Sequence, residues 1–214
     1  MNSEKKFQKS FLLFTIGQFC MVLGAVTIGS NFKVLPSWLI FFGIFTFIGI
    51  ILMLIAFKTF YKVNRNYFRA LIALVAYILL VIFTDACSKS KDDMYLTLSR
   101  GLEISSAFVS CIFYVYSFLG TRDYFNETNI AKGKKRAMTG AIILVVLFVT
   151  QQVLAFLSSF DFAKQSVVAF SIFRFGSWGL QLFTYVFIFA VLLGAYIIYM
   201  KKKKGEVTSD EERK

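Results

Sequence analysis

The 214-residue chain has no histidine, a single proline and few charges, which make up only 17% of its residues. Without imidazole, the usual general base is missing. Serine–histidine chemistry and histidine metal ligation are excluded. The three cysteines, Cys20, Cys87 and Cys111, form no C-x-x-C pair, so neither a thiolate zinc site nor a disulfide framework is expected. Neither G-x-x-x-x-G-K-[ST] nor G-x-G-x-x-G occurs, and Gly133-Lys134-Lys135 lacks the rest of a phosphate loop. An intramembrane aspartyl protease needs two facing aspartates. Here the acids nearest the apolar runs are Asp85 and Glu103, an unmatched pair. No catalytic activity and no cofactor are expected.

What the chain does have is apolar bulk. Hydrophobic residues make up 57% of it, 27 of them phenylalanine. Its charges are clumped between long uncharged runs, the pattern of a polytopic membrane protein. The runs are continuously apolar and do not alternate with period two, so helices are expected and not a barrel. Six spans are expected, at about 10–32, 34–57, 67–86, 102–121, 137–160 and 175–200. Each is near the ~20 residues that cross ~30 Å of hydrocarbon. The first run lacks a cleavage site and leads into another span, so it reads as a retained helix. Pro36 falls at the start of the second span, where its missing N–H costs nothing. The apolar stretch 165–173 could extend the sixth helix, lie in the interface or re-enter the membrane.

The net charge of +12 follows topology. Eighteen of the 24 Lys and Arg cluster before span one, between spans two and three, between spans four and five, and after span six. The positive-inside rule then puts both termini in the cytoplasm, with the plasma membrane as the expected location. Lys201, Lys202, Lys203 and Lys204 stop the last helix and face anionic headgroups, while the tail 201–214 forms no domain. Cations at the ends of spans serve orientation, so no nucleic-acid partner is expected. Arg65-Asn66-Tyr67-Phe68 is echoed by Arg122-Asp123-Tyr124-Phe125.

The fourth span carries the clearest pattern. Glu103, Ser106, Ser110, Tyr114, Ser117 and Thr121 fall on one helical stripe about 80° wide at ~100° per residue. Ser99 reads as a helix cap that would place Glu103 at the positive end of the dipole. Arg174, Gln181 and Tyr185 share one face of span six, Gln151 and Gln152 lie in span five, and Asp85 ends span three. Thr15, Gln18, Ala25 and Gly29 make a close-packing face on span one. The candidate ligand-binding residues are therefore Glu103, Ser106, Ser110, Tyr114, Arg174, Gln181, Gln151 and Asp85. Such groups either hydrogen-bond neighbouring helices or line a water-accessible cavity open to the outside. The first arrangement suits a non-catalytic subunit, with a membrane-protein partner or a second copy of itself. The second suits a small-solute binding or transport protein.

Overall fold

The computed structural model describes residues 2–28, 37–89, 93–157, 167–203 and 205, with no strand among them. Among the described residues six helices follow one another: α1 (Asn2–Ile28), α2 (Ser37–Phe60), α3 (Arg65–Ser88), α4 (Asp93–Glu127), α5 (Ala131–Leu157) and α6 (Val167–Lys203). Among the described residues five stretches are long and apolar enough to cross a membrane: Glu4–Ala25, Arg65–Ser88, Thr97–Glu127, Ala131–Leu157 and Ser171–Lys203. The described apolar part of α2, Ile44–Phe60, is shorter.

Several expectations are revised. Ser99 is no cap, because α4 begins at Asp93 and Ser99 lies inside it. Glu103 therefore sits well past the first turn, beyond the reach of the helix dipole. Helix α6 is continuous from Val167, so that part of the ambiguous apolar stretch extends the sixth helix. Gly176 and Gly179 are both helical there. The segment between spans four and five is mostly helix, and Lys201–Lys203 continue α6. Pro36, residues 165–166 and the tail from 206 lie outside the described residues.

Each helix packs on its neighbour in the chain, and α6 packs back on α1, so the ring closes. Contact between α2 and α3 is the lightest. The seam of α1 is a heptad run: Phe7, Phe11, Phe14, Gln18, Met21 and Ala25 are all buried. Spacings of four and three keep one stripe facing the bundle. Helix α6 repeats the spacing with Tyr185, Ile188, Leu192, Ala195 and Tyr199. Where α1 crosses α2, Gly17 and Gly49 face each other. A Cβ on Gly49 would come within 2.7 Å of the Gly17 carbonyl, so only glycine allows this backbone approach.

The end of the bundle that holds the start of α1 and the end of α6 is an aromatic core. Phe7 stacks on Tyr124 at 3.6 Å, and Phe60 stacks on Tyr67 at 4.6 Å. Phe14, Phe57 and Phe113 join them edge-on or tilted. In lipid these rings gain little from leaving water. They hold through dispersion and shape, which lipid chains match poorly.

The helix ends here are well satisfied. Asn64 caps α3 by accepting from the Tyr67 N–H at 3.0 Å, and its amide donates to the Gly120 carbonyl at 2.9 Å. Helix α4 ends in a paired turn: Ile130 N–H donates to Phe125 O at 2.7 Å and Asn129 N–H to Asn126 O at 3.2 Å. Asn129 takes the left-handed conformation such a cap requires, with φ 53°. The Lys202 ammonium then donates to the carbonyls of Thr128 and Asn129, and Lys203 donates to Gln8 Oε1 at 2.6 Å. Two of the four lysines expected to meet lipid are thus also engaged within the chain. The two echoing tetrapeptides meet across the α3–α4 hairpin, where Asn66 donates to Asp123 at 2.6 Å.

Candidate functional site

A polar cluster drawn from four helices lies in the interior. Its centre is Gln18 of α1, wholly buried at a seam position whose neighbours Phe14 and Met21 are apolar. Tyr114 of α4 donates its hydroxyl to Gln18 Oε1 at 2.7 Å. The Gln18 amide donates to the Tyr185 carbonyl of α6 at 3.3 Å. The hydroxyl of Tyr185 lies near that of Tyr77 of α3 and near the Gln181 side chain, close enough for each pair to interact. Through this cluster α1 is bonded to α4, which is not its neighbour in the ring, and Tyr77 of α3 comes near Tyr185 of α6. None of its members carries a charge.

Its depth follows from helix geometry. Tyr77 lies eight residues from Arg69 and eight from Asp85, about 12 Å from each at 1.5 Å per residue. Gln18 is nine residues, about 13 Å, beyond Lys9. The cluster sits midway along the bundle, the depth at which an unsatisfied amide or phenol is most costly.

The candidate residues separate into two groups. Tyr114 and Gln181 belong to the central cluster. Ser106 is buried but spends its hydroxyl on its own helix, donating to the Glu103 carbonyl at 2.8 Å. Farther along the stripe, Ser117 and Thr121 are buried and bond back to Phe113 and Ser117, while Thr121 also pairs with the Tyr67 hydroxyl at 2.9 Å. Ser110 and Gln151 are half-buried. Glu103 is exposed. Asp85 is exposed and paired with Lys89 one turn on, at 2.6 Å. Arg174 lies on α6, but its side chain is outside the described residues.

Gln18, Tyr77 and Tyr185 are absent from the candidate set read from the sequence, although Tyr185 shares one face of span six with Gln181. An amide standing in a Phe–Met heptad seam is the signal that finds Gln18. Tyr77 has no comparable signal, because its period is shared with the surrounding Ala, Leu and Ile. One further group stands out. The Trp178 indole N–H, one turn before Gln181, is buried with no acceptor among the described residues. No group of three or more metal-ligating side chains occurs among the described residues. The chain matches no known protein family, no curated protein and no solved structure.

Proposed function

We propose that this chain is a six-span protein of the plasma membrane with both termini in the cytoplasm. We propose further that it works without catalysis, as a subunit or as a regulatory or assembly partner acting through helix contacts. The α2 helix, 24 residues from Ser37 to Phe60 and packed along α1, supports the sixth span. The gathering of cations near the end of the bundle that holds the start of α1 and the end of α6 supports the orientation. The observation that carries the functional reading is the central cluster. Tyr114, Gln18 and the Tyr185 carbonyl hydrogen-bond in series, and no member of the cluster carries a charge, as suits a device that fixes helix register.

Orientation is tested with the sequon Asn126-Glu127-Thr128. In a microsome insertion assay Asn126 stays unmodified, and a sequon engineered at Lys89 is glycosylated. The reverse pattern overturns the topology. Function is tested by native mass spectrometry from mild detergent. A stoichiometric membrane-protein partner, or a defined homo-oligomer, is expected. A monomer that retains a small organic molecule would overturn the subunit reading.

A second reading, small-solute binding from the outer side, is favoured by the unpaired Trp178 donor one turn from half-buried Gln181. It requires water at the outer edge of the cluster. Cysteine placed at Ser110 or Gln181 would then react with a membrane-impermeant thiol reagent added from outside, while cysteine at Phe113 would not. Silence at both positions removes this reading.

A further inference from the structure

A groove of about 430 Å³ runs between α5 and α6, away from the central cluster. That volume lies within the roughly 300–1,000 Å³ usual for small-molecule sites. It has a basic mouth and an apolar floor. Lys132, Lys135 and Arg136 form the mouth, Thr139 lies one turn further in, and Phe187 and Val191 of α6 form the floor. None of the residues lining it is acidic. Lys132, Lys135, Arg136 and Thr139 are all exposed, so the groove opens on the outer flank of the bundle.

Arg136 does not turn toward the end of the bundle. Its guanidinium lies across Gly194, where a Cβ would come within 2.0 Å of it, and donates to the Ala190 carbonyl at 2.8 Å. Gly194 is seven residues before Lys201, about 10 Å along the helix. A cation is thus held well inside the apolar length of α6 by a glycine and a main-chain carbonyl. It remains exposed, and a guanidinium has five donors. A permanent charge at this depth calls for an anion that can follow it there.

We propose that this groove is a binding site for an anionic phospholipid. The phosphate sits among Lys132, Lys135 and Arg136, and an acyl chain lies along Phe187 and Val191. Charge selects the headgroup: three cations and no carboxylate favour a net-negative lipid over a zwitterionic one. The apolar floor selects a lipid over a free anion. The site depends on the chain being in a bilayer, but neither on the central cluster nor on the subunit reading.

The test uses the full chain purified in a neutral detergent. Binding of dioleoyl phosphatidylglycerol, dioleoyl phosphatidylcholine and inorganic phosphate is measured by native mass spectrometry and by titration. Phosphatidylglycerol is expected to bind at least about tenfold more tightly than phosphatidylcholine, with inorganic phosphate weaker than both. Each of Lys132→Gln, Lys135→Gln and Arg136→Gln should weaken it about fivefold, and the triple variant about a hundredfold. Thr139→Trp fills the groove from an exposed position and keeps every charge. It should abolish binding without disturbing the fold, which keeps the test decisive if the triple variant fails to fold. Lys58→Gln with Lys62→Gln, distant from the groove, should change nothing. Equal affinity for the two lipids, inorganic phosphate binding as tightly as the lipid, or undiminished lipid binding in Thr139→Trp would overturn the proposal.

Discussion

The two halves of the bundle are built differently. In the half that holds the start of α1 and the end of α6, every helix contributes large side chains with almost no exposure, among them Phe11, Phe60, Tyr67, Phe118, Leu144 and Leu192. In the other half, the buried residues of α3 stop at Leu74, and before Phe113 the only buried residue of α4 among those described is Ser106. Leu79, Ile82, Phe83, Ile104 and Phe108 are exposed there. The central polar cluster lies on the boundary. Among the described residues, fully buried side chains are thus concentrated at one end.

That contrast can be broken most directly by truncating aromatic rings. Phe11→Ala or Phe60→Ala should cost about 3–5 kcal/mol, because the surrounding rings cannot collapse into the space left. Phe83→Ala, exposed in the other half, should stay within about 0.5 kcal/mol. Denaturation in mixed micelles measures both. Similar losses at the two ends would show that the contrast does not govern stability.

A smaller effect tests the boundary. Gln18→Leu leaves the Tyr114 hydroxyl and the Tyr185 carbonyl without the amide, at a cost of about 1–3 kcal/mol. Adding Tyr114→Phe should recover part of it. A double-mutant cycle should give a coupling of about 0.6–1.7 kcal/mol, the range found between helices in membranes. A coupling near zero would mean that the two side chains are merely adjacent. The smallest effects belong to the loose half: Asp85→Asn and Glu103→Gln should each change stability by less than about 0.5 kcal/mol. A loss several times larger at Glu103 would reveal a partner for it that the packing does not show.

The all-helical, membrane-type character of the chain was legible because long apolar runs between charge clusters have one economical solution in lipid. The polar stripe of α4 was legible as a stripe, since helical period alone places Ser106, Ser110, Tyr114, Ser117 and Thr121 on one side. What the stripe faces was not legible. Serine and threonine hydroxyls can bond back to their own helix, as those of Ser106, Ser117 and Thr121 do, or bond outward, and the sequence pattern is the same in both cases. The start of α4 was misplaced because Ser99 has the chemistry of a cap, whereas the helix runs past it to Asp93.

By itself, the sequence determined that this is a helical, membrane-type chain with its cations gathered at recurrent junctions, because charge and apolar length are properties of each segment alone. Only the tertiary structure decided that Gln18, Tyr77, Tyr114, Gln181 and Tyr185 share one centre, and that Arg136 lies on Gly194. Those meetings join residues up to 167 positions apart, as between Gln18 and Tyr185. They depend on which faces of six similar helices turn toward one another. Periodicity gives each helix a face, but only packing chooses its neighbour.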